Sequence, residues 1–182
     1  MIGLKVHDCL IGWSTNDEVR RRGASGGLVT SILLAALDGG LVDAVIVLKK
    51  FSHFEAVPII TSDRGEVLNS AGTLHAVPSL SAKLLMNSDL RIALPTKGCE
   101  VRAIIEQSKR NTINLDQVYM IGLNCGGAMH PITTMEMLET VYKIKPKDVV
   151  HEIIERGKMI FETKDGEKHA RSIEELEEKG YG

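Results

Sequence analysis

Two of the three cysteines stand beside glycines at the ends of apolar runs, in Lys97-Gly98-Cys99 and in Gly122-Leu123-Asn124-Cys125-Gly126-Gly127. A thiolate is a soft metal ligand or a redox group, and glycine lets the backbone come close to a bulky inorganic or phosphate-bearing ligand. The pair points to a cofactor site on strand-end loops, with an inert buried thiol as the competing reading of each cysteine. Two thiolates complete neither a tetrahedral zinc site nor an iron-sulfur cluster, so metal ligation needs further partners. Lys97 can pair with a phosphate or carboxylate, or stand solvated.

Ala24-Ser25-Gly26-Gly27 heads an apolar segment. Backbone N–H groups at such a helix start suit a phosphate or pyrophosphate, and an ordinary glycine-eased start explains the same residues. The dinucleotide fingerprint Gly-x-Gly-x-x-Gly is missing, as is a nucleoside-triphosphatase phosphate loop. His75, in Gly72-Thr73-Leu74-His75, is either a ligand-orienting group or a loop histidine that is simply solvated or hydrogen-bonded. A Cys99–His75 nucleophile and base lacks a marked third member, which ranks a thiol hydrolase low.

The elements that must hold these loops follow from hydrophobic periodicity. Cys9 to Trp13 reads as an opening strand, and Asn16 to Gly23, with Arg20, Arg21 and Arg22 in a row, as a solvated polar stretch. Ser25 is expected to cap a helix with Leu28, Val29, Ile32, Leu33, Ala36 and Leu37 on one face, ended by Gly39-Gly40. Leu41 to Leu48 reads as a strand buried on both faces, and Val57 to Thr61 as a second strand. A Ser62-Asp63 turn or cap precedes a short helical segment from Arg64 to Asn69, and Ala71 to Pro78 is a loop. Leu80, Leu84 and Leu85 mark a short helix, Arg91 to Pro95 a strand, and Val101, Ile104 and Ile105 a helix whose first turn holds Cys99. Val118 to Leu123 is a strand, Asn124 to Pro131 a loop, and Thr133 with Glu136 a capping box for a helix carrying Met137, Leu138 and Val141. Strand, glycine loop and helix thus recur in the same order.

Beyond Lys145 the pattern changes to strands at Val149 to Ile154 and Met159 to Thr163, with Asp165-Gly166 a tight-turn signal before Glu167 to Arg171, then a Ser172/Glu175 capping box and an acidic helix ending at Gly180. The expected fold is α/β, a layered sheet with flanking helices plus a C-terminal β-hairpin and short helix. Residues 1–145 read as the α/β core and 146–182 as a hairpin and helix extension of the same domain.

With 182 residues, 22 basic against 24 acidic side chains and a net charge of -2, the chain has the composition of an ordinary globular protein with no electrostatic call for nucleic acid or an anionic membrane. Three Phe, three Tyr and one Trp make base-stacking platforms improbable. No membrane span or signal-peptide core is visible, and three scattered cysteines fit a reducing compartment, so a cytoplasmic protein is expected.

Asp17 to Gly23, Ser25-Gly26-Gly27-Leu28-Val29-Thr30, Gly40-Leu41-Val42-Asp43, Gly72-Thr73-Leu74-His75, Lys97-Gly98-Cys99 and Ile121 to Gly127 are individually short but specific in this order. On them the chain resembles, almost end to end, the beta subunits of hydrogenases and formate dehydrogenases linked to 8-hydroxy-5-deazaflavin (coenzyme F420), the formate dehydrogenase type of methane-producing archaea in particular. The resemblance implies a protein that binds FAD and iron-sulfur clusters and passes electrons from a catalytic dehydrogenase or hydrogenase subunit through the flavin to the deazaflavin coenzyme, as hydride. It makes the 1–145 core a flavin-binding one. It implies that Ser25, Gly26 and Gly27 lie against the flavin phosphate or ring, with Thr73, His75, Lys97 and Asn124 in neighbouring loops, and that Cys99 and Cys125 match cluster-ligand positions.

Ala71 and Ala76 stand near the Gly72-Thr73-Leu74-His75 loop, where the formate-type pattern has cysteines, so a cluster needing those ligands is expected to be missing. The family also continues past a Glu-Glu-x-Gly-Tyr-Gly segment, here Glu177 to Gly182, into a Cys-x-x-Cys region. A 4Fe-4S cluster is therefore expected only with ligands outside this sequence. The alternative is a non-catalytic flavin- or nucleotide-binding or assembly module.

Overall fold

The computed structural model describes residues 5, 7–77, 79–125 and 127–181. Pro78 of the expected 71–78 loop, Gly126 of the second glycine–cysteine motif and the closing Gly182 lie outside the described residues.

The apolar runs become strands β1 (Ala44–Ser52), β2 (Glu55–Thr61), β3 (Ile92–Thr96) and β4 (Val118–Gly122). They form one sheet in the order β2-β1-β3-β4, with β1 and β2 an antiparallel hairpin and β1, β3 and β4 parallel. Ala44 to Val47 and Ile92 to Leu94 are buried without interruption, as strands covered on both faces require. Alternation sends Val45 and Val47 toward α1 (Asp17–Arg22), α2 (Leu28–Asp38) and α3 (Arg64–Asn69), while Ile46 meets α4 (Ala82–Leu85) and α5 (Gly98–Lys109). The result is a three-layer α/β arrangement.

Between β1 and β3 the register runs through Ala44↔Ile92 and Val45↔Ala93. A clamp reinforces the junction: Asp43 N–H donates to Arg91 O at 2.8 Å, Arg91 N–H returns to Asp43 Oδ2 at 2.9 Å, and the Arg91 guanidinium reaches Oδ1 at 2.6 Å. The guanidinium beside it holds the Asp43 carboxyl below the usual carboxylate range.

After α6 (Pro131–Met137) the helix widens into a single π turn, Leu138–Tyr142. Three strands follow, β5 (Val149–Glu155), β6 (Lys158–Thr163) and β7 (Lys168–Ser172), joined as an antiparallel meander and closed by α7 (Ile173–Glu178). Two turns and three strands thus stand where a hairpin is expected. Ser172 Oγ accepts the Glu175 N–H at 3.1 Å, so the expected cap of α7 is present. The meander buries Phe161 against Tyr142, edge to face at 5.0 Å between centroids. Phe54, from the β1–β2 turn, and Met129 pack into the same cluster, tying the second sheet to the first.

Several local expectations are corrected. Cys9 to Trp13 forms no strand, since no neighbour pairs with it, and Leu10, Ile11 and Trp13 are 68%, 97% and 55% exposed. Asn16 to Gly23 is not a plain polar stretch. Asn16 Oδ1 accepts the Glu18 and Val19 N–H groups and starts α1, whose Val19 is buried while all three arginines stay exposed. Ser25 does not cap α2, because Gly27 in the left-handed conformation is its first boundary residue. The buried face of α2 is Thr30, Leu33, Leu34 and Ala36, whereas Leu28 and Ile32 are each 42% exposed. The Thr133/Glu136 box is absent too. Pro131 opens α6 behind His130, and Thr134 Oγ1 donates back to His130 O at 2.9 Å.

Candidate functional site

In an open sheet with parallel strands, ligands gather at the carboxyl ends, where loops leave for the helices. Here β3 ends at Thr96 and β4 at Gly122, paired to each other, and Leu123 N–H donates to Thr96 O at 2.8 Å. The two glycine–cysteine loops therefore leave the sheet side by side. Lys97 is the N-cap of α5, its N–H held by Glu100 Oε2 at 3.1 Å, and the buried Glu100 receives Ser81 Oγ at 3.1 Å on its other oxygen. That pair fixes the first turn of α5, which carries Cys99.

Cys99, Cys125 and Asn124 are exposed and Lys97 is half-buried. A Cβ built on Gly98 or Gly122 meets nothing within 4 Å, so both glycines face open space. Neither cysteine is the inert buried thiol of the competing reading. Among the described residues no group of three or more His, Cys, Asp or Glu side chains is arranged to hold a metal ion.

A second loop, 71–77, crosses the same end of the sheet. β1 runs on past its pairing with β3 to Lys50, whose Nζ donates to Ala71 O at 2.6 Å, and burial pushes this ammonium's pKa down. Gly72 (φ 102°) is required here, since a side chain would stand 3.1 Å from Arg22 O and 3.4 Å from Lys50 Nζ. His75 O accepts Met129 N–H at 2.9 Å, binding this loop to the segment that follows Cys125. Thr73 is exposed and His75 half-buried.

Under His75 lies Glu152 of β5, whose side chain is 0% exposed. Its Oε1 accepts the His75 N–H and lies 3.1 Å from His75 Nδ1. His53 Nε2, from the β1–β2 turn, lies 3.5 Å from Oε2, and neither of these buried atoms has a hydrogen-bond partner among the described residues. Burial alone would raise the Glu152 carboxyl, but the two imidazoles and the His75 N–H hold it at about 2.

The Ser25–Gly27 loop is built differently. Gly26 and Gly27 have φ of 67° and 73°, and a Cβ on Gly27 would lie 2.5 Å from Val19 O. A Cβ on Gly26 would lie 2.8 Å from Trp13 Cβ. These glycines are needed first for chain-on-chain packing between the end of α1 and the start of α2. Ser25 is exposed, and no side chain caps the N–H groups of α2. Ser14 N–H donates to Gly26 O at 2.8 Å, and Arg20 stacks 5.2 Å over the Trp13 ring.

Lys97, Cys99, Asn124 and Cys125 are thus brought together by β3 and β4, Thr73 and His75 join them through Met129, and Ser25 to Gly27 connect through α1 to Gly72. Lys50, His53 and Glu152 are the residues that sequence reasoning missed. The one available signal was Glu152 itself, a carboxylate inside the apolar run 149–154. A cleft of about 230 Å³, lined by Met129, His130, Thr133 and Tyr181 among others, opens beyond the Cys125 loop and is smaller than usual ligand pockets.

Residues 9–86 match the family described as coenzyme F420 hydrogenase/dehydrogenase, beta subunit N-term, and residues 89–181 its companion, described as the C terminus of the same beta subunit. Over 172 residues the chain is 46% identical to the F420-dependent formate dehydrogenase subunit beta of Methanocaldococcus jannaschii, covering 93% of this chain and 45% of that protein. It is 42% identical over the same length to the F420-dependent formate dehydrogenase 1 subunit beta of Methanococcus maripaludis, covering 93% and 44%. The chain thus spans less than half the length of these curated relatives. A chain in the xenon-derivatized F420-reducing NiFe hydrogenase complex of Methanosarcina barkeri superposes with a TM-score of 0.82 at 19% identity, over 91% of this chain and 60% of that one. That likeness shows the fold.

Proposed function

The chain belongs to the coenzyme F420 hydrogenase/dehydrogenase beta-subunit family, and from that premise we propose that it is the part of a redox beta subunit that serves FAD and coenzyme F420 beside a catalytic formate dehydrogenase or hydrogenase subunit. The observation that carries this reading is the gathering of the Lys97–Cys99, Leu123–Cys125 and 71–77 loops at the carboxyl ends of β1, β3 and β4. The relatives named for formate dehydrogenase favour formate as the donor of the whole assembly.

FAD, when bound, supplies hydride exchange with the deazaflavin coenzyme. The uncapped N–H groups after Gly27 offer donors to its phosphates, and the exposed Ser25 hydroxyl stands beside them. Thr73, His75, Lys97 and Asn124 supply polar groups from the strand-end loops, and Lys50 adds a cation behind Gly72. These residues suit an anionic, ring-bearing ligand. Cys99 and Cys125 supply two thiolates of the four that a 4Fe-4S cluster takes, so the described residues alone do not fit it and the remaining ligands belong outside this chain. Residues 1–145 are assigned to the flavin-binding core and 146–182 to an extension of the same domain. No helix of the described residues is long and apolar enough to cross a membrane, and the proposed working place is the cytoplasm.

Fluorescence titration of FAD with the purified chain tests the reading. Saturable binding is expected, weakened about tenfold or more by Ser25→Asp and by Lys97→Glu, each of which sets a negative charge against a phosphate at little packing cost. Absence of binding by the unaltered chain would refute the flavin assignment, and undiminished binding by both variants would refute these loops as its place.

A further inference from the structure

Glu152 belongs to the second sheet, yet its carboxylate ends beneath a loop of the first. One oxygen, Oε1, accepts two donors of the same residue, the backbone N–H and ring Nδ1 of His75. An ionised carboxylate can only accept, so the His75 Nδ1 facing it carries a proton. We propose that Glu152 is the positioning residue of the site, holding His75 in the form protonated on Nδ1 so that Nε2 is the ring nitrogen left to exchange a proton with the ligand of the 71–77 loop. The proposal rests on the reading of His75 as a flavin-loop residue.

The anchor is unusually complete for a loop side chain. Because backbone and ring of His75 share one acceptor, the imidazole cannot turn over without losing a bond in the buried interior, where an unpaired group is costly. When Nε2 takes up a proton, the imidazolium charge is matched by Glu152; when it gives the proton up, Nδ1–H and its bond persist. The other ionisable groups facing this carboxylate among the described residues are His53 of the β1–β2 turn, 3.5 Å from Oε2, and Lys50 of β1. Against burial, which disfavours the charge, the His53 and His75 rings and the His75 N–H keep the carboxyl ionised over the neutral range. A His whose second nitrogen is held by a carboxylate is the arrangement that fixes tautomer and ring orientation at proton-transfer sites generally.

Long-range proton–nitrogen correlation spectra of the full chain at about pH 8, above the ordinary histidine range, test the pairing without any ligand, with His75→Asn assigning the signal. The expected wild-type ring is protonated on Nδ1 and bare on Nε2. Glu152→Gln, whose carbonyl oxygen still accepts, keeps that state, whereas Glu152→Leu releases the ring into the Nε2-protonated form. FAD affinity is expected to fall about tenfold in Glu152→Leu and less than about threefold in Glu152→Gln, the difference being one buried hydrogen bond. A wild-type His75 protonated on Nε2, or an unaltered ring in folded Glu152→Leu, overturns the proposal. Should Glu152→Leu fail to fold, the wild-type spectrum alone decides. Failure of the wild-type chain to bind FAD would instead strike the flavin reading and leave the spectrum to judge Glu152.

Discussion

Replacing Glu152 with Gln keeps the shape of the side chain and removes its charge, which makes it a clean probe of what that charge contributes. The carboxyl is held at about 2 in the folded chain against an ordinary 4.5. At 1.36 kcal/mol per unit, that difference corresponds to about 3 kcal/mol of stability, as an order of magnitude. Because the folded value is depressed, the native state binds fewer protons than the unfolded one between the two values. The contribution is therefore fully present above the ordinary carboxyl value and lost as pH falls from about 4.5 to about 2. Urea unfolding of both proteins across about pH 7 to about pH 2 reads this directly, as the difference in free energy at matched pH with unchanged m. Wild type should exceed Glu152→Gln by about 3 kcal/mol at neutrality, and the gap should close through that acid window. A gap that stays constant with pH would refute the reasoning, since the cost would then be one of shape and not of charge.

Gly27→Ala should destabilise the fold by at least about 2 kcal/mol, since the left-handed conformation and a contact of 2.5 Å with Val19 O both oppose a Cβ; a thermal midpoint within about 2 °C of wild type would contradict this. Phe161→Ala, at a residue with 0% exposure, should cost about 3–5 kcal/mol in chemical unfolding, and a loss below about 1 kcal/mol would mean that the meander core is not as described. Cys9, Cys99 and Cys125 are all exposed, so an aromatic disulfide reagent should modify three thiols per native chain without denaturant. Fewer than three fast equivalents would show one of them to be shielded.

Elements whose boundaries are set by local chemistry were legible in the sequence. Asp63 caps α3 by accepting the Glu66 N–H at 3.0 Å, and Ser172 does the same for α7, so both helices begin where a capping residue stands. The apolar runs of β1 and β3 were equally plain, because strands covered on both faces admit little else. Cys9 to Trp13 has strand composition but no neighbour to pair with. The start of α2 depends on how Gly27 meets Val19, a contact between segments that no cap signal reports. At the site, the two thiol loops could be placed at strand ends because an apolar run followed by glycine marks that end. The Glu152–His75 pair joins residues 77 apart through two different sheets, and neither sequence neighbourhood carries a trace of the other.

The β1–β3 junction has a consequence for how the chain reaches its folded state. The two family segments meet between residues 86 and 89, yet β1 belongs to the first and β3 and β4 to the second, so a single sheet is assembled from both. Until Ile92 and Ala93 dock beside Ala44 and Val45, the first segment holds the β1–β2 hairpin with α1, α2 and α3 on one face, the β1 edge bare and Ile46 without Ile92, Leu94 and Ile104 beside it. The closure spans almost fifty residues of chain and must be paid in loop entropy before the Asp43–Arg91 clamp returns anything, which makes this pairing a late and rate-governing event. Cleaved between the segments, the halves should behave as complementary fragments, recovering the four-stranded sheet, with its row of strand-end loops, only on mixing.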